Sequence, residues 1–173
     1  MRAEIINVGT ELLLGGIVNL NSRYLSEELA SLGIGVYYQT SVGDNAVRLK
    51  RVLATAVSRS NIIIITGGLG PTKDDITKHT LCRYFGSTMR YDEQEAEHIR
   101  TLLARRNVAF NDLNRGQAMV PECCTVLHNA HGTAPGMWFE QNGRVVVSLP
   151  GVPFEMQHLI DEEVMPRLKA HYS

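Results

Sequence analysis

The segment ITGGLGPTKDDIT, residues 65–77, sets three glycines and two adjacent carboxylates behind an apolar lead-in. Without a Cβ, Gly67, Gly68 and Gly70 let backbone N–H groups come close to a phosphate, and a helix beginning just beyond would turn its positive end toward the anion. The spacing is neither GxxxxGK followed by Ser or Thr nor GxGxxG, so neither a P-loop nor a dinucleotide fingerprint applies. Asp74 and Asp75 fall where that helix should start. They suit capping, worth about 1 kcal/mol. They also suit a Mg2+-type ion, which takes one or two carboxylates together with phosphate oxygens. The residue types alone leave both roles open.

Three further stretches share this texture. GTELLLGG, Gly9 to Gly16, places Glu11 beyond an apolar run. HGTAPG, residues 131–136, joins Gly132 and Thr133. LPGVPFEM, residues 149–156, puts Gly151 and Pro153 at a helix start and Glu155 in its first turn. Three of the four stretches follow expected strands, so a parallel architecture would gather all of them at one sheet edge, where open α/β sheets bind ligands.

The elements that must position these residues follow from periodicity. AEIINV, residues 3–8, and Ile62–Ile65 are continuous apolar runs of the kind found in strands covered on both faces. Val36–Val42 is β-branched and aromatic, a third strand. Tyr24, Leu25, Leu29 and Leu32 recur at helical spacing, with Gly33 as the stop. Val47, Leu49, Val52, Leu53, Ala56 and Val57 line one side of a second helix, which Asp44 is placed to cap. Helices are expected over about 75–85 and 92–106, with one short helix between Phe110 and Cys124. Asn142-Gly143 supplies the turn of a hairpin within residues 138–149. A last helix follows Pro153 and is expected to end or kink around Pro166. Strand–helix alternation predicts an α/β fold: a three-layer, mostly parallel sheet with helices on both faces and a hairpin in the C-terminal half.

The chain of 173 residues carries 44% hydrophobic and 20% charged residues with a net charge of −1. That size suits a single domain spanning residues 1–173. The charge leaves no footprint for nucleic acid or an anionic membrane, and no apolar run is long enough for a membrane span. Three cysteines without CxxC spacing suggest free thiols, and together with an N-terminus unlike a signal peptide they point to the cytoplasm.

GTELLLG, GGLGPTKDDIT, GTAPG and LPGVPFEM, in this order, resemble the N-terminal domain of the competence/damage-inducible protein CinA, a member of the molybdopterin-binding superfamily with MoaB and MogA. The resemblance runs from Met1 to about Leu168. It implies that Gly67, Gly68, Gly70 and Thr72 hold a phosphate, that Asp75, followed by Thr77, is the metal or catalytic carboxylate with Asp74 beside it, and that Asp44 is a second catalytic acid. It also implies that Pro150 and Gly151 line the pocket and that Glu155 belongs to the site. The activity implied is metal-dependent hydrolysis of ADP-ribose to AMP and ribose 5-phosphate, with Mg2+, Mn2+ or Co2+ as cofactor. The alternative is a non-catalytic module for a molybdopterin or nucleotide phosphate. A molybdopterin adenylyltransferase fits less well, because GGLGPT departs from the GGTG of those enzymes. A homo-oligomer, dimer or trimer, is implied, and so is the absence of the deamidase domain that continues full-length CinA.

The chain departs from the family pattern at three places. Thr10 stands where the superfamily has a carboxylate. Arg115-Gly116 precedes Gln117-Ala118 where a lysine is usual. Pro121-Glu122-Cys123-Cys124 replaces a proline–glutamate–glycine turn. His128 and His131 read as loop histidines, His79 as a surface or packing residue, Cys82 as a small buried hydrophobe and Trp138 as core.

Overall fold

The computed structural model describes residues 1–15 and 19–172; Gly16, which closes the first glycine-containing stretch, lies outside them. Six strands form one sheet in the order β2-β1-β3-β8-β7-β6. These are β1 (Arg2–Val8), β2 (Gly35–Val42), β3 (Ile62–Thr66), β6 (Thr125–Leu127), β7 (Gly136–Gln141) and β8 (Arg144–Leu149). Strands β2, β1, β3 and β8 run parallel, whereas β7 is antiparallel to both β8 and β6. The β7–β8 hairpin turns at Asn142 (φ 52°) and Gly143 (φ 75°), the left-handed pair expected of an Asn-Gly turn. Two short strands, β4 (Met89–Tyr91) and β5 (Met119–Pro121), pair separately.

Every side chain of β3 is buried, because apolar clusters cover both faces of this central strand. On one face, Ile5, Ile62, Ile64 and Val147 pack against α2 (Leu20–Ser31) and the C-terminal helical segment. On the other, Ile6, Ile63, Ile65 and Val146 pack against α3 (Ala46–Arg59) and α4 (Thr77–Tyr84). Burial of this kind contributes about 1.5–3 kcal/mol for each large side chain. A smaller cluster joins Ala96, Ile99 and Leu103 of α5 (Glu93–Arg105) to Ala118. The only buried acid of β1, Glu4, lies at the amino end of the sheet. Burial alone would raise its carboxyl, but a two-point bond from Arg59 (3.0 and 2.9 Å) and the Ser60 hydroxyl (2.6 Å) outweigh that and hold it below its ordinary value.

Several local expectations need correction. Asn45 and not Asp44 caps α3, accepting from Arg48 N–H at 3.0 Å. Helix α4 starts at Thr77, and neither Asp74 nor Asp75 caps it: its cap position is Ile76, which has no side-chain bond. The helix at Pro166 does not end. It runs as α7 (Pro153–Leu159), a π turn (Ile160–Val164) and α8 (Met165–His171), and the wider Met165 N–H to Ile160 C=O bond leads into the proline, which has no N–H to give. The turn at Pro121–Cys124 uses no left-handed residue, so Cys123 and Cys124 stand there without strain.

Candidate functional site

The carboxyl ends of β1, β2, β3 and β8 lie side by side, and because β7 is antiparallel its entry loop, residues 131–135, arrives at the same edge. The loops are tied to each other there. Gly9 N–H donates to Val42 C=O (2.9 Å) and Gly67 N–H to Leu149 C=O (3.0 Å). A Cβ on Gly151 would stand 3.3 Å from Gly67 Cα, so the β3 and β8 loops touch backbone to backbone. Asn21 of α2 clamps the same junction, donating to Gly151 C=O at 3.0 Å. Between these loops opens a cleft of about 470 Å3, lined in part by Gly67, Gly68, Gly70, Gly132, Thr133, Pro150 and Gly151 and by the acids Glu11, Asp44, Asp74, Asp75 and Glu155.

The glycine turn is shaped by two left-handed residues, Gly67 (φ 106°) and Gly68 (φ 71°), where a side chain would strike Val8 C=O and the Thr77 hydroxyl respectively. Thr77 is fully buried. Its hydroxyl donates to Gly67 C=O (2.9 Å) and its N–H to Gly68 C=O (3.1 Å). It therefore braces the turn from beneath, and a backbone carbonyl occupies the amide that opens α4. The amides of Gly68, Leu69 and Gly70 make no hydrogen bond among the described residues. Thr72 lies outside the cleft wall. Its N–H (3.1 Å) and hydroxyl (2.8 Å) both donate to Asp75 Oδ2, closing the turn that presents Asp75.

The other acids are held in the same manner. Asp44 Oδ2 accepts from the Thr10 N–H and hydroxyl, each at 3.3 Å, so the threonine at the departure from the family pattern binds the second acid where a carboxylate would repel it. Glu155 Oε1 accepts from Asn129 Nδ2 at 2.7 Å. Asn129 is buried and also bonds Ala134 C=O (2.9 Å) and His131 N–H (3.1 Å), so one amide fixes the loop that carries Gly132 and Thr133. Gln117 reaches the Thr133 hydroxyl at 3.4 Å, and His98 Nε2 lies 3.1 Å from Gly132 C=O. No three His, Cys, Asp or Glu among the described residues converge as a ready-made metal site.

Two features escaped sequence reasoning. Arg106, at the end of α5, is the one cation lining the cleft among the described residues. Its sequence context signals only a basic helix terminus. Lys78 lines a smaller cavity beneath the glycine turn and donates to Gly116 C=O (2.6 Å); burial pushes its ammonium down to about 8. Arg115, by contrast, sits over the Tyr91 ring at 4.6 Å, away from the cleft. His128 and His131 do lie in a loop, His79 is exposed, and Cys82 and Trp138 are buried. No helix among the described residues is long and apolar enough to cross a membrane.

The fold recurs in known proteins. A family model described as a probable molybdopterin binding domain matches residues 4–170. A putative competence-damage inducible protein from Caldicellulosiruptor bescii is 53% identical over 98% of the chain, and a CinA-like protein from Cytophaga hutchinsonii is 46% identical over 98%. The chain spans 41% of the length of both. Among solved structures, CinA from Thermoplasma acidophilum, of unknown function, superposes with a TM-score of 0.86 at 31% identity, covering 96% of each chain. The molybdopterin biosynthesis enzyme MoaB from Thermus thermophilus shares the fold at 21% identity, with a TM-score of 0.65 over 98% of this chain and 93% of its own. The match across nearly every described residue, with a CinA as a full-length structural relative, means that this chain belongs to the molybdopterin-binding domain family and is CinA-like within it.

Proposed function

We propose that the cleft binds a nucleotide diphosphate together with a divalent cation and hydrolyses it, with ADP-ribose giving AMP and ribose 5-phosphate. One observation carries this reading: among the described residues, the cleft pairs a glycine turn with five carboxylates (Glu11, Asp44, Asp74, Asp75, Glu155) and a single guanidinium, Arg106. A diphosphate entering alone would meet strong repulsion, so a cation must enter with it. The donors are all oxygens, as a hard cation requires, and its remaining ligands would come from the phosphates. Asp75, whose Oδ1 lies outside the Thr72 bonds, and the exposed Asp74 are the residues to hold it.

The chain's own groups divide the remaining work. The amides of Gly68, Leu69 and Gly70 hold one phosphate, and Arg106 draws the other toward the opposite wall. Asp44, oriented by Thr10, receives the proton of the attacking water. The water oxygen joins phosphorus as the bond to the bridging oxygen breaks, and that oxygen leaves on the second phosphate. A bound divalent cation would neutralise charge on the phosphates and on the departing oxygen.

A second reading is favoured by the threonine bonds to Asp44 and Asp75, which give both carboxylates a structural role without chemistry. In that reading the chain is a binding module for a pterin or nucleotide phosphate. Calorimetric titration of ADP-ribose with Mn2+ and then with EDTA separates the two. The hydrolase reading expects at least a tenfold weaker affinity in EDTA; equal affinity in both buffers supports the binding module.

A further inference from the structure

Next in the chain to the cleft-lining Glu155 stands an aromatic group that phosphate chemistry does not use. Phe154, in the first turn of α7, is 57% exposed, while the core face of the same helix is taken by Met156 and Leu159. Two histidines hold its ring. His131 lies 4.9 Å from it and His158 4.5 Å, and the two imidazoles are 4.2 Å apart. Each histidine is anchored in turn: His131 N–H donates to Asn129 Oδ1 (3.1 Å), and His158 Nδ1 faces Glu162 Oε1 at 3.3 Å. The trio comes from the loop at residues 131–135 and from helix α7, and chain neighbours of each line the cleft: His131 precedes Gly132, and Phe154 lies between the lining residues Val152 and Glu155.

We propose that Phe154, with His131 and His158 behind it, is a stacking platform for a planar heteroaromatic ring, the purine base of a nucleotide whose phosphates lie in the cleft. A large aromatic left in water, adjoining a cleft-lining acid and contacted by two imidazoles, suits base stacking. The ring supplies sequence-tolerant π contact. The inference rests on the phosphate-cleft reading and deepens it: the ligand is a nucleotide, not a sugar diphosphate or inorganic pyrophosphate.

The test titrates the purified chain, with Mn2+ present, with pyrophosphate, ADP-ribose and adenosine, and repeats the series on Phe154→Ala and Phe154→Trp. Thermal melts check the fold, and light scattering gives the mass of each protein. The expected result is ADP-ribose binding about tenfold or more tighter than pyrophosphate, a loss of that advantage in Phe154→Ala with pyrophosphate affinity kept, and its return in Phe154→Trp. Adenosine binding that is lost in Phe154→Ala, with no pyrophosphate binding, keeps the platform and removes the phosphate cradle. Pyrophosphate binding with no nucleotide advantage, or an advantage untouched by Phe154→Ala, overturns the platform. So does a lower mass for Phe154→Ala at unchanged ADP-ribose affinity, which would assign the trio to a contact between copies. Absence of binding by all three ligands overturns both readings.

Discussion

The carboxylate of Asp75 fills the space that a side chain on Gly70 would need: a Cβ there would stand 2.5 Å from Asp75 Oδ2. The glycine is therefore a condition for the acid's position as much as for the turn. Gly70 has no left-handed φ, so alanine is tolerated by the backbone and the displacement falls on Asp75. Gly70→Ala is expected to lower turnover of ADP-ribose at least tenfold while shifting unfolding by less than about 1 kcal/mol. Paired kinetics and urea melts check this.

Asn129 is the keystone of the opposite wall, holding Ala134 C=O, His131 N–H and Glu155 at once. Removing a buried amide leaves those partners unpaired, at a cost of about 2–3 kcal/mol. Asn129→Ala should show that loss in urea unfolding and should weaken ligand binding too, because Gly132 and Thr133 lose their support. Loss of stability with unaltered ligand affinity would contradict the role assigned to this wall.

Lys78 gives a pH signature. Its folded value, lowered to about 8 by burial, lies below the ordinary 10.5. Between those limits the unfolded chain binds more protons than the folded one, so stability should rise as pH increases from about 8 toward 10. Below 8 both states are protonated and this contribution is flat. Denaturant titrations at pH 7, 8, 9 and 10 should show the rise in the wild type and a smaller one in Lys78→Met.

At the far end of the sheet, the buried Glu4 pairs with the partly exposed Arg59, remote from the cleft. Glu4→Gln leaves the Arg59 and Ser60 donors without their charged partner and is expected to lower stability in urea unfolding, with ligand affinity unchanged. For the wild type the Glu4 contribution is present above the unfolded carboxylate value and is lost as pH falls through its lowered folded value. Acid titrations of the wild type and the Gln variant should converge at low pH.

How much of this was legible in the sequence depended on how local each signal was. Ile62–Ile65 announces a central strand and Asn142-Gly143 a hairpin because run length and turn chemistry act within a few residues. Strands β4 and β5 were missed: three residues each, paired across a long intervening segment, carry no period. Of the end or kink expected around Pro166, the end does not occur: the helix continues through a π turn that begins six residues earlier. In the site, glycines and acids were legible as types, and the converging strand ends gave their common edge. Their wiring was not. That Thr77 braces the turn, that Thr10 holds Asp44 and that Arg106 reaches the cleft are facts of tertiary contact.

Release of AMP from ADP-ribose tests the central claim most directly. It should be measured with Mg2+, Mn2+ or Co2+, in EDTA, and with Asp75→Asn. The cleft as described predicts metal-dependent AMP release, abolished in EDTA and in Asp75→Asn, with the variant's melting temperature close to the wild type. No AMP with any of the three metals, while ADP-ribose still binds, would contradict hydrolysis and leave a binding domain.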